Sequence, residues 1–153
     1  SWEKLQTNKV RNMDNKTKLV DYITESSETY VELSCEPEDS RIEGNCSAID
    51  PDTDKATADW IYTELESGNP WAWCCAKVTL RFGDYAATEY LGACSYKSEA
   101  DFRADPYYSD MVRECASSIA DDMLTSYDLV SLIITKWGDY ETIIYRVQIE
   151  RNC

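Results

Sequence analysis

Trp71-Ala-Trp-Cys-Cys-Ala-Lys-Val-Thr-Leu-Arg-Phe82, then Gly83-Asp84, then Tyr85-Ala-Ala-Thr-Glu-Tyr-Leu-Gly-Ala-Cys-Ser-Tyr96, is the stretch that decides the fold. Gly83-Asp84 is a two-residue hairpin turn, and such a turn fixes which residues pair across the two strands. Thr79 then lies opposite Thr88, and Trp71 opposite Tyr96. Side chains alternate between the faces of a strand. One face carries Cys74, Ala76, Val78, Leu80 and Phe82 opposite Ala93, Leu91, Glu89, Ala87 and Tyr85, and it is apolar except for Glu89. The other carries Trp71, Trp73, Cys75, Lys77, Thr79 and Arg81 opposite Tyr96, Cys94, Gly92, Tyr90, Thr88 and Ala86. It is mixed, with its aromatic residues gathered away from the turn. A slip of one residue would exchange the faces, so the pattern itself supports the register.

Outward from the hairpin, the same turn chemistry recurs near the C-terminus. Leu129–Trp137 and Tyr140–Glu150 flank Gly138-Asp139, with Val130, Leu132, Ile134, Ile143, Tyr145, Val147 and Ile149 on one face. Lys136 falls opposite Glu141 and Thr135 opposite Thr142, both favourable cross-strand pairs. Upstream, Tyr30–Cys35 is rich in β-formers and stops at Glu36-Pro37, as a strand does. Residues 36–52 hold Pro37, Gly44 and Pro51 among many acids, which predicts an acidic surface loop. A helix is expected from about Asp52–Asp54, with Asp52 or Thr53 as its cap. Ala58, Ile61, Tyr62 and Leu65 lie on one helical face, and Gly68 and Pro70 end it. Asp105-Pro106 opens a second helix, with Asp as cap and Pro first. Its apolar stripe is Tyr108, Met111, Val112, Cys115, Ile119 and Met123. The predicted fold is α+β, in the order β-α-β-β-α-β-β: an antiparallel sheet of two hairpins and an N-terminal strand, with two main helices packed on one side. Residues 1–18 are predicted to be a basic arm or short helix preceding a single domain of residues 19–153, whose first core candidates are Leu19, Val20, Tyr22 and Ile23.

Composition narrows what such a domain can do. At 153 residues, with 43% hydrophobic residues, 11 Tyr and 5 Trp, the chain can build a core and is no disordered acidic tail. No apolar run is long enough to cross a bilayer, and no signal-peptide core is present at the start. A soluble, intracellular protein is therefore expected. The seven cysteines are odd in number and form no Cys-x-x-Cys pair, so free, mostly buried thiols are expected rather than disulfides or a zinc site. Cys74 and Cys75 point to opposite faces of a strand and cannot chelate one ion together.

The usual catalytic constellations are missing. The chain has no histidine, which removes Ser-His-Asp and Cys-His chemistry and the commonest metal ligand. Its five glycines form no phosphate-cradling loop. Asp50-Pro51-Asp52-Thr53-Asp54 has the alternating acids of a calcium loop, but Lys55 and Ile61 stand where such a loop needs Gly and Glu, and helix capping explains the same acids. No catalytic residue, metal or cofactor is expected, and the protein reads as a binder.

The charge is −14 and is unevenly spread. Residues 25–54 hold ten acids against Arg41 alone, whereas residues 1–18 are net basic. An acidic body repels nucleic acid and acidic membranes and attracts basic protein surfaces. The candidate partner-binding residues are Glu36, Glu38, Asp39, Glu43, Asp50, Asp52 and Asp54, with Asp110, Glu114, Asp121 and Asp122 on the second helix. A competing candidate surface is the aromatic end of the hairpin, Trp71, Trp73, Tyr90 and Tyr96, through which copies of the chain would assemble. A second small core beneath the N-terminal segment or the loop would use the same aromatics.

Gly44-Asn45, Trp71-Ala72-Trp73-Cys74, Tyr90-Leu91-Gly92-Ala93-Cys94-Ser95-Tyr96-Lys97, Asp101-Phe102-Arg103 and Tyr107-Tyr108-Ser109-Asp110-Met111-Val112 together resemble a family of small phage and prophage proteins of uncharacterised activity. The resemblance covers about residues 30–115 and carries no site residues. It implies a phage or mobile-element origin. By class, small acidic phage proteins without catalytic groups resemble inhibitors of host defence, of anti-CRISPR or anti-restriction type. The expected partner is then a basic host protein such as a nuclease or a CRISPR effector complex, with a phage structural or accessory role as the alternative.

Overall fold

A computed structural model describes residues 15–46 and 50–125. The C-terminal hairpin and most of the basic arm therefore lie outside the described residues. The elements in chain order are helix α1 (residues 15–25), strand β1 (Thr29–Glu36), helix α2 (Pro51–Glu66), a 3-10 turn (Pro70–Ala72), strands β2 (Cys74–Phe82) and β3 (Tyr85–Cys94), and helices α3 (Glu99–Ala104) and α4 (Pro106–Thr125). The fold is α+β, with a three-stranded antiparallel sheet in the order β1-β2-β3. The order of elements differs from the expected one by the added helices α1 and α3. The break expected after residue 18 falls inside α1.

The hairpin has the register that its turn dictates. The Thr79 and Thr88 hydroxyls meet at 2.9 Å, and the Tyr96 amide donates to the Trp71 carbonyl at 2.8 Å. Gly83 takes φ +56° at the first turn position, a conformation that glycine reaches without a Cβ clash. Cys74, Ala76, Val78, Leu80 and Phe82 are all buried, as the alternation requires. The alternation fails at the end of β3. Ala93 sits at φ +52° and is exposed, and Cys94 is buried, whereas Ala93 was expected on the apolar face and Cys94 on the mixed one. A left-handed residue turns the chain out of its strand geometry and breaks the period of two.

By contact the chain forms two compact units. The described residues of the first are 15–30, 81–87 and 113–125. Its described core is Leu19, Val20 and Ile23 of α1, Phe82, and Cys115, Ala116, Ile119, Ala120 and Met123 of α4. These fall one and four residues apart along each helix, so each helix shows one apolar stripe. Tyr22 meets Phe82 edge-on at 6.1 Å, and two surface ion pairs, Lys16–Asp121 at 2.8 Å and Arg113–Asp21 at 2.9 Å, join α1 to α4.

The second unit comprises residues 31–80 and 88–112. The cap of α2 is Asp50, two residues earlier than expected, with Pro51 in the first helical position. Its carboxylate accepts from the Thr53 amide at 2.8 Å and the Thr53 hydroxyl at 2.7 Å. Proline suits that position because its missing N–H would have no helical partner there. Ala58 and Ile61 of α2 pack with Ile42, Ala72 and Trp73, and Cys46 and Leu65 lie against them. Gly68 at φ +93° ends the helix, its amide donating to the Leu65 carbonyl at 3.0 Å. α3 is capped by Ser98, whose hydroxyl accepts from the Asp101 amide at 3.1 Å. α4 begins as expected, with the Asp105 carboxylate accepting from the Tyr107 amide at 2.9 Å.

Candidate partner-binding surface

The acidic segment is held in place by its own carboxylates. The Glu38 carboxylate accepts from the Ala93 amide at 2.6 Å and the Ser40 amide at 2.8 Å. These two amides, Ala93 first, hold Glu38 below the usual carboxylate range. Gly92 leaves room for the contact, since a Cβ there would lie 3.0 Å from Glu38 Oε2. The left-handed turn at Ala93 and the missing side chain at Gly92 thus form the socket that receives Glu38. Asp54 accepts from the Gly44 amide at 2.8 Å and the Cys46 amide at 3.1 Å, tying the loop to the first turn of α2. The Tyr62 hydroxyl donates to Glu43 at 2.5 Å, which lowers the pKa of Glu43 and raises that of Tyr62. The Thr53 amide and hydroxyl lower that of Asp50. Glu36 accepts from the Ser34 hydroxyl at 2.9 Å.

Of the seven expected acids in this segment, Asp39 and Asp52 are the two left exposed with no hydrogen bond to their carboxylates among the described residues. Of the alternating acids at 50–54, Asp50 and Asp54 point at backbone amides, and no group of three or more potential ligands among the described residues could hold a metal ion. On α4, Asp110, Glu114 and Asp122 are exposed, and Asp121 is paired with Lys16. Asp110 belongs to the second unit, while Glu114, Asp121 and Asp122 belong to the first.

The aromatic candidates do not form an exposed surface. Trp71 and Trp73 are each 7% exposed. Trp71 stacks on Phe102 of α3 at 5.3 Å, and Phe102 also meets Tyr96 and Tyr108 edge-on at 5.0 and 6.0 Å. The Trp73 indole N–H donates to the Ser40 carbonyl at 3.0 Å, so the acidic loop closes over it. These rings are the second small core. The expected interface loses both tryptophans to packing, because large aromatic surfaces are buried wherever a loop or helix can cover them. Tyr96 is half-buried, and burial with nearby Asp105 pushes its pKa up to about 12. Tyr90 is 60% exposed, with the Lys77 ammonium 5.8 Å from its ring centre.

Thiol chemistry is muted. The Cys35 thiol donates to the Pro70 carbonyl at 3.4 Å, and burial raises the pKa values of Cys35, Cys74, Cys75 and Cys94. A buried protonated thiol is a poor nucleophile.

One exposed side chain escaped the sequence reading. Trp60 lies on α2 outside the Ala58, Ile61 and Leu65 stripe, 36% exposed, and its position beside that stripe was the signal. With Asp52, Thr53, Ala56 and Thr57 it lines an open depression of about 560 Å³. No helix among the described residues is long and apolar enough to cross a membrane. No family model, curated protein or solved structure matches the chain.

Proposed function

We propose that this is a non-enzymatic binding protein that engages a basic, nucleic-acid-handling protein through the acidic loop and the start of α2. On the phage resemblance of residues 30–115, its role is inhibition of a bacterial host's defence system, of anti-CRISPR or anti-restriction type, in the host cytoplasm. The observation that carries the reading is the fixed acidic loop. Glu38, Glu43, Asp50 and Asp54 anchor the segment. Asp39 and Asp52 are presented from it to solvent. A negative surface that is already ordered loses little conformational freedom on binding. It also steers a basic partner into contact. With a total charge of −14 the attraction is long-ranged at low salt.

The test is binding to a purified basic nuclease or effector complex, measured at low and high ionic strength. Affinity is expected to fall steeply with salt and to fall again when Asp39 and Asp52 are changed together to Asn. Salt-independent binding would rule out the electrostatic mechanism.

A further inference from the structure

We infer that the depression on the outer face of α2 is the docking site for an arginine-bearing segment of the basic partner, an assignment that rests on the binding function proposed above. The face is built from two neighbouring rows of the helix. Asp52, Ala56 and Trp60 recur every fourth residue, and Thr53 and Thr57 form the row beside them. A carboxylate therefore stands at one end and an indole at the other, about 12 Å apart along the helix at its standard rise. Small side chains lie between them and leave the floor open.

Each end is available. The Asp52 carboxylate makes no hydrogen bond or ion pair among the described residues, unlike those of Asp50 and Asp54 on either side. The Trp60 indole makes no hydrogen bond or ring contact there either. The Thr53 hydroxyl is spent on Asp50, and the Thr57 hydroxyl on the Thr53 carbonyl. The depression thus offers one unpaired negative charge and one π face, with no competing donors.

Charge decides the occupant. A single exposed tryptophan on a protein surface is ordinary. This one lies just beyond an acidic segment, residues 25–54, whose one base is Arg41, and the intervening Lys55 is paired with Asp59 at 3.1 Å. A guanidinium is the group that satisfies both ends, because it stacks flat on an indole and pairs with a carboxylate. An extended segment covers about 12 Å in roughly four residues. One arginine stacks on Trp60 while a second cation, two to four residues away, meets Asp52.

The probe is a fluorescein-labelled hexa-arginine peptide, with hexa-lysine beside it, followed by fluorescence anisotropy at about 0.05 and 0.3 M salt. The wild-type chain is expected to bind hexa-arginine more tightly than hexa-lysine and to lose affinity as salt rises. Trp60→Ala should weaken hexa-arginine binding about fivefold, while Trp60→Phe retains most of it. Asp52→Asn should weaken it roughly two- to fivefold. Both residues are exposed, so an unchanged thermal melt is expected to show that the variants fold. Salt-sensitive wild-type binding that both variants leave unchanged would overturn the docking site while sparing the acidic-surface function. Equal binding of the two peptides, equally weakened by Trp60→Ala, would overturn the choice of arginine. No wild-type binding to either peptide at low salt would overturn both readings.

Discussion

The acidic loop and the aromatic end of the first hairpin look like two rival surfaces in the sequence, yet in the structure the loop is the cover of the aromatics. Trp73 lies under Ser40, and Glu38 of the same loop reaches the backbone of Ala93 at the end of β3. The two regions differ in what orders them. The aromatic end is held by area, through Trp71, Phe102, Tyr96 and Tyr108 ring against ring. The loop is held by a few charge-assisted hydrogen bonds. A charged residue at the surface can therefore be a structural anchor or a free recognition group, and residue type does not tell which. The hydrogen bonds do.

The largest expected effect breaks the aromatic side. Trp73→Ala removes a buried indole packed with Ile42, Ala58, Ile61 and Ala72, together with its bond to the Ser40 carbonyl. Large-to-small changes of this kind cost about 3–5 kcal/mol. That is a large part of a typical domain's total of about 5–15 kcal/mol. Urea unfolding should show a much lower midpoint. A loss below about 1 kcal/mol would mean that this end is no core at all.

The comparison also shows what the sequence made legible. The hairpin was readable because Gly83-Asp84 sets the pairing locally, and Thr79 meets Thr88 as that turn requires. Both main helices were readable from their stripes, and α4 also from its Asp-Pro start, whereas the cap of α2 was expected at Asp52 or Thr53 rather than Asp50 because Asp52 is an equally good cap by type. The helix α3 is only six residues, too short for a periodic stripe, and its one signal was Ser98 three residues before Asp101. The charge of the loop was visible, but its division into anchors and free groups was not. Glu38 finds its partner 55 residues away at Ala93, and Glu43 finds Tyr62 19 residues away. The positive φ of Ala93, a residue type that rarely adopts it, has no local sequence signal.

A smaller effect sharpens the loop side. Glu38→Gln keeps the shape but removes the charge that accepts from Ala93 and Ser40. Hydrogen bonds to a charged group contribute more than neutral ones, and solvent screening at this exposed site reduces that to about 1 kcal/mol. The pH dependence follows from the lowered pKa of Glu38. A carboxylate that is more acidic in the folded state than in the unfolded chain stabilises above its unfolded pKa. That stabilisation is lost as pH falls through the folded value. Wild type and Glu38→Gln should therefore differ at neutral pH and converge in acid. A difference that persists or grows in acid would mean that the amide pair does not hold Glu38 as a carboxylate.

The smallest effect on stability tests the division itself. Asp39 sits next to Glu38 but is exposed, and its carboxylate makes no hydrogen bond among the described residues. Asp39→Asn should leave stability within about 0.5 kcal/mol, as surface changes away from structural contacts do. It should still slow association with a basic partner at low salt, because a charge at the rim of an interface acts mainly on the encounter rate. The informative quantity is the contrast with Glu38→Gln, which removes the same unit of charge one residue away. If the loop's net charge alone governs recognition, the two variants should slow association equally. If the anchoring bonds matter as well, Glu38→Gln should also speed dissociation, because a loosened loop must be re-ordered in the complex. Association and dissociation rates measured for both variants, at one salt concentration and on one partner, decide between these outcomes. A stability loss for Asp39→Asn as large as that for Glu38→Gln would erase the distinction between anchoring and presenting acids.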